Sequence, residues 1–229
     1  MRLIIVGAGG IGSWLLPALM RLHPDTEIVV ADQDRYTEGN QNRQLFNPAY
    51  VGMNKAEALV DQYKSRHVSA DPRWFDPHLM ELKVDDVVYG CVDNNKARVT
   101  ILDGADGIGY RVISGGNEKF SAEAWYYHAH WRDSYRDPRV YSPEIMAAEP
   151  DEVLPHGCGR AETLGDTQIV SANLMATAFM AHLSMMWISD RTKIKNSDKN
   201  ILFPYKLDSS LTQFRTFQPK AQDDYVITV

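Results

Sequence analysis

The chain has 229 residues, and 44% hydrophobic content with 24% charged residues suffices to bury one sizeable core, so a single domain is expected. A formal net charge of -6 gives no basic footprint and argues against a polynucleotide as the main partner. The only cysteines, Cys91 and Cys158, are too few for a disulfide framework or a four-cysteine zinc site. With no charged leader and cleavage site at the start, the expected compartment is the cytosol.

In chain order, Leu3-Ile4-Ile5-Val6 reads as a strand that runs into Gly7-Ala8-Gly9-Gly10-Ile11-Gly12-Ser13. Gly7, Gly9, Gly10 and Gly12 let the backbone bend tightly and approach a phosphate, which the amino end of the following helix favours. That amphipathic helix covers residues 14–22 and stops near His23-Pro24-Asp25. Residues 27–31 form a second strand ending at Asp32, a βαβ opening. A carboxylate at that tip, about 20 residues beyond the loop, is placed to hold ribose hydroxyls; a turn-initiating Asp is the plainer alternative.

Further on, Asp86 to Val92 reads as a strand, as do Gly109 to Gly116 and Ser121 to Trp131. Within the last of these, His128 and His130 share a face and read as exposed strand histidines. Cys91 reads as core. Residues 135–155 look irregular. Leu174 to Ile188 is almost wholly apolar yet falls short of the roughly 20 residues a bilayer crossing needs, so a buried core helix is expected and no membrane. After a polar connector at 191–200, residues 201–218 alternate around Asp208-Ser209-Ser210 like an antiparallel hairpin. The fold class is α/β: a Rossmann-like, mostly parallel sheet flanked by helices, with an antiparallel C-terminal extension. Residues 1–110 form the nucleotide half and 111–229 the acceptor-facing half.

Between the second strand and residue 95 the chain departs from a dehydrogenase. Asp32-Gln33-Asp34 leads to Asn40-Gln41-Asn42-Arg43-Gln44, then to Gly52-Met53-Asn54-Lys55 heading a helix, and later to Asp93-Asn94. Two cations and a carboxylate converging on a phosphate loop suit adenylyl transfer, in which a carboxylate attacks the α-phosphate of ATP and pyrophosphate leaves. Arg43 offers a forked guanidinium to phosphate oxygens, Lys55 a point charge, and Asp93 a ligand for the Mg²⁺ of the triphosphate. Read singly, Arg43 and Lys55 are solvated charges and Asp93 a helix cap.

On these motifs the chain resembles the ThiF/MoeB/HesA group, the bacterial relatives of ubiquitin-activating enzymes. Asp32/Asp34, Asn40/Arg43/Gln44, Gly52/Lys55 and Asp93/Asn94 stand in the family's order, and no gaps are needed within each segment. The resemblance implies that Gly9, Asp32, Asn40, Arg43, Lys55 and Asp93 line a site for ATP and Mg²⁺. It also implies a homodimer that adenylates the C-terminal carboxylate of a small ubiquitin-like protein ending in Gly-Gly. Cys158, in His156-Gly157-Cys158-Gly159-Arg160, occupies the place of a cysteine that some members use to take the activated acyl group; a merely tolerated thiol is the alternative. The family's two Cys-x-x-Cys pairs are missing, so no structural zinc is expected. Three rival readings stand beside this one: adenylation of a peptide or other carboxylate, an NAD-dependent dehydrogenase, and a partner-binding module that has kept only the fold.

Overall fold

The computed structural model describes residues 1–118, 121–147, 170–188, 206–210, 213–217 and 226–228. Central to it is β1 (Leu3–Val6), an all-buried apolar run, as expected of a parallel strand covered on both faces. It pairs in parallel with β2 (Ile28–Ala31) on one side and β4 (Val87–Gly90) on the other. Parallel pairing continues outward to β3 (Val68–Asp71) and β5 (Arg111–Asn117). The sheet then turns antiparallel through β6 (Ala122–Tyr127), β7 (Lys206–Ser210), β8 (Gln213–Phe217) and β9 (Val226–Thr228). The strand order is β3-β2-β1-β4-β5-β6-β7-β8-β9.

Side-chain alternation along β1 divides the core. Leu3 and Ile5 face α1 (Gly12–Leu22), α2 (Lys55–Tyr63) and α5 (Val170–Trp187), while Ile4 and Val6 face α3 (Asn95–Ile108). Because the chain leaves β1 toward β2 and returns on its other side at β4, the crevice at the carboxyl ends of β1 and β4 is a topological switch point. Ligands of open α/β sheets bind at such points.

Four local expectations change. α5 is not buried all round: Ala172, Asn173, Ala176, Thr177, Met180, Leu183 and Ser184 pack inward, whereas Leu174 and Met185 remain exposed. The β6 strand stops at Tyr127, and His128 instead caps a short 3-10 turn (Ala129–Trp131), its ring nitrogen accepting the His130 N–H; His130 is the exposed member of the pair. The stretch expected to be irregular carries α4 (Pro138–Tyr141), tied to α3 and β6 because Arg139 pairs with Asp106 at 2.8 Å and hydrogen-bonds the Tyr127 hydroxyl at 2.7 Å. Asp208, Ser209 and Ser210 lie within β7, so the hairpin turns beyond them; buried Ser209 meets the Met175 sulfur at 3.1 Å. The connector at 191–200 lies outside the described residues. No described helix is long and apolar enough to cross a membrane.

Candidate functional site

The turn after β1 depends on its glycines. Gly7 adopts φ +93, and a Cβ there would stand 2.6 Å from the Cys91 carbonyl oxygen; one on Gly12 would stand 1.9 Å from the Gly7 carbonyl oxygen. Cys91 itself is buried, which pushes its thiol well above the usual range and leaves it a core residue. Among the described residues no hydrogen bond uses the N–H groups of Gly9, Gly10, Ile11 or Gly12, so four donors at the amino end of α1 remain open to an anion.

Asp32 reaches back to this turn from the tip of β2. Its Oδ2 accepts the Ala8 N–H at 2.7 Å and its Oδ1 the Asp34 N–H at 2.8 Å. Burial pushes its carboxyl above the usual range, opposed by the nearby Lys55 charge and these two hydrogen bonds. Asp34 in turn pairs with Lys55, Nζ to Oδ2 at 3.1 Å, and the ammonium is almost fully buried at the first residue of α2. One residue earlier, Asn54 clasps the two segments. Its Nδ2 donates to the carbonyls of Asp32 (2.7 Å) and Asp34 (3.2 Å), and its Oδ1 caps α2 through the Glu57 N–H.

The Asn40–Gln44 segment packs beside the glycine turn. Asn40, Arg43 and Gln44 are all buried. Asn40 Oδ1 accepts the Thr37 N–H, which fixes the turn, and Arg43 Nη1 donates to the Gly39 carbonyl and Asn42 Oδ1, both at 3.0 Å. Two side chains of α1 hold the segment in place: Ser13 Oγ accepts the Leu45 N–H at 3.0 Å, and the Trp14 indole donates to the Arg43 carbonyl at 3.1 Å. Neither cation is the solvated charge that a residue-by-residue reading allows.

Asp93 stands exposed just beyond β4, and the intervening Cys91 donates its N–H to the Val6 carbonyl at 2.8 Å, which keeps this end beside the glycine turn. The helix cap falls on Asn94, not Asp93: Asn94 Oδ1 accepts the Ala97 N–H at 2.8 Å and starts α3. That leaves the Asp93 carboxylate for other work. No group of three His, Cys, Asp or Glu able to hold a metal occurs among the described residues. Magnesium bound through one carboxylate and substrate phosphates needs no such cage, so the donor at Asp93 suits it. Cys158 and its neighbours lie outside the described residues.

A family model for the ThiF family matches residues 1–226. The chain belongs to the ThiF family. Among curated proteins, this ThiF-family chain is 33% identical over 120 residues to "Adenylyltransferase and sulfurtransferase UBA4" of Candida glabrata, a match covering 49% of this chain and 28% of that protein. It is 29% identical over 133 residues to "Ubiquitin-like modifier-activating enzyme 5" of Gallus gallus, covering 49% and 32%. The chain therefore spans about a third of the length of these relatives. Two solved structures cover all of it: PaaA, with TM-score 0.60 at 18% identity and 64% of that chain, and E. coli MccB with AMPCPP and MccA, with TM-score 0.61 at 16% identity and 63%. At those identities the likeness is one of fold.

The contributions of Asn54, Ser13, Trp14 and Asn173 were not legible in the motifs. For Asn54 the Asn-Lys start of α2 is a local capping signal; for Asn173, on α5, no local signal exists.

Proposed function

We propose that this chain is an ATP-dependent adenylyltransferase that activates the C-terminal carboxylate of a small ubiquitin-like protein. The observation carrying the reading is the buried Lys55, paired with Asp34 in a segment that Asn54 clasps to Asp32, whose carboxylate closes on the glycine turn. An ammonium is kept out of water at such cost only where an anion or carboxylate gives the charge work to do. The names of the UBA4 and UBA5 relatives support the same activity.

In this reading the open N–H groups of Gly9 to Gly12 receive the phosphates and the Asp32 carboxylate orients the ribose. Gly7, Gly10, Asn40, Gln44 and Asn94 shape the turns that place these groups. An acceptor carboxylate oxygen bonds to the α-phosphorus, the bond to the β-phosphate oxygen breaks, and pyrophosphate leaves with that electron pair; Arg43 and Lys55 stabilise the charge gained in the transition state. Asp93 is the residue that would hold Mg²⁺, which supplies further charge neutralisation. Cys158 is the candidate to receive the acyl group afterwards. A homodimer, a Gly-Gly terminus on the partner and a cytoplasmic setting belong to the same reading.

ATP–pyrophosphate exchange tests it. The wild type should support acceptor-dependent exchange, and Arg43→Ala should abolish it with the fold unchanged by circular dichroism. Nicotinamide dinucleotide binding without ATP binding would replace this reading with a dehydrogenase.

A further inference from the structure

Asn173 is fully buried on α5, in the second half of the chain, yet its amide packs against the glycine turn. A Cβ on Gly10 would meet its Nδ2 at 2.6 Å and its Oδ1 at 2.9 Å. The Nδ2 reaches the Arg43 carbonyl at 3.5 Å, and Thr177, one turn on, donates to the Asn173 carbonyl at 2.9 Å. Among the described residues the Asn173 Oδ1 has no hydrogen-bond partner. A buried acceptor without a donor is costly enough that native proteins rarely keep one, and such groups gather where a ligand completes them.

The chemistry of the missing partner follows from what the reaction brings to Gly10. Phosphate oxygens accept hydrogen bonds, and so does the attacking carboxylate; neither satisfies Oδ1. The ribose hydroxyls donate, but in the reading above they are committed to the Asp32 carboxylate at the tip of β2. The remaining donor close to the reacting carboxylate is the N–H of the last peptide bond, present in a peptide or protein acceptor and absent from a simple organic acid.

Resting on the adenylyltransferase reading above, we propose that Asn173 positions the acceptor, its Oδ1 accepting the N–H of the peptide bond that precedes the activated carboxylate. The site then selects peptide and protein C-termini over other carboxylic acids. Because the oxygen is closed to water in the free protein, it is reached as the acceptor tail displaces the side chain's present contacts. The donor it gains there repays that displacement.

A substrate-side substitution tests this. A ubiquitin-like protein ending in Gly-Gly is compared with its semisynthetic counterpart whose last residue is glycolate, an ester lacking only that N–H, in exchange assays with wild type, Asn173→Ala and Asn173→Ser. Binding of ATP alone is measured in parallel. Wild type should favour the amide by roughly 10-fold in kcat/KM, the size of one well-placed hydrogen bond. Asn173→Ala should lose that preference and keep its affinity for ATP. A purely structural role would leave the preference in place or weaken ATP binding as well, and either result overturns the proposal. So does an absence of preference in wild type, or failure of both variants to fold. No exchange by wild type with any carboxylate, the two proteins included, would instead sink the adenylyltransferase reading, and this proposal with it.

Discussion

Replacing Lys55 by methionine preserves the length of the side chain and removes its charge. At 3.1 Å and an effective dielectric of about 20, the attraction between Lys55 and Asp34 is about 5 kcal/mol. Desolvation of the buried ammonium and the 34% exposure of the Asp34 side chain cancel most of it. A net loss of about 1.5 kcal/mol then remains, which lowers the Tm of a chain this size by about 3–6 °C. The proposed function makes the effect on activity larger, because the charge would act on a transition state richer in negative charge than bound ATP: kcat/KM in ATP–pyrophosphate exchange should fall by roughly 10²-fold or more. A third effect separates this account from simple destabilisation. Lys55 opposes the burial that raises the Asp32 pKa, so Lys55→Met should raise it further. ATP binding, which in this account needs the ionised Asp32, should then fail at a higher pH in the variant than in wild type as the solution is acidified. Exchange measured from pH 5 to pH 8 would show this displacement. An unmoved acid limb together with wild-type exchange would refute the placement of Lys55 in the site.

Other predictions follow from the same geometry. Gly12→Ala forces a Cβ against the Gly7 carbonyl and should weaken ATP binding by roughly 10²-fold, read by calorimetry; unchanged affinity would show that the turn does not cradle phosphate. Asp93→Ala should abolish Mg²⁺-dependent exchange and leave the Tm within about 2 °C of wild type, since the carboxylate is exposed and caps nothing. His23 bonds Ser184 at 2.9 Å in the core, and burial lowers its pKa below the usual 6.5. The unfolded chain therefore binds a proton there that the folded chain refuses, and this contribution destabilises the fold as pH falls below 6.5. Thermal melts at pH 7.5 and 5.5 should show a smaller acid loss in His23→Asn; equal losses would discard the assignment.

What the sequence revealed follows the range of the interactions. β1 and its turn are legible because an apolar run meets four glycines within a few residues, and Asp32, Arg43, Lys55 and Asp93 sit in short motifs whose chemistry is local. α3 is harder to read, since Asp103, Gly104, Asp106 and Gly107 are weak helix formers that packing against β4 and β5 overrides. β3 carries a single buried Val68 on a four-residue strand at the sheet's end, too little alternation to register. Asp208-Ser209-Ser210 has turn chemistry, yet pairing with β6 and the buried Ser209 keep it extended. Asn173 illustrates the limit: its partners, Gly10 and Arg43, are more than a hundred residues away.

The most direct measurement is a crystal structure with a non-hydrolysable ATP analogue and Mg²⁺. The account predicts phosphate oxygens on the N–H groups of Gly9 to Gly12, the ribose on Asp32, Arg43 and Lys55 against the triphosphate, and the metal on Asp93. A triphosphate bound away from either cation, or a metal held elsewhere, would contradict it.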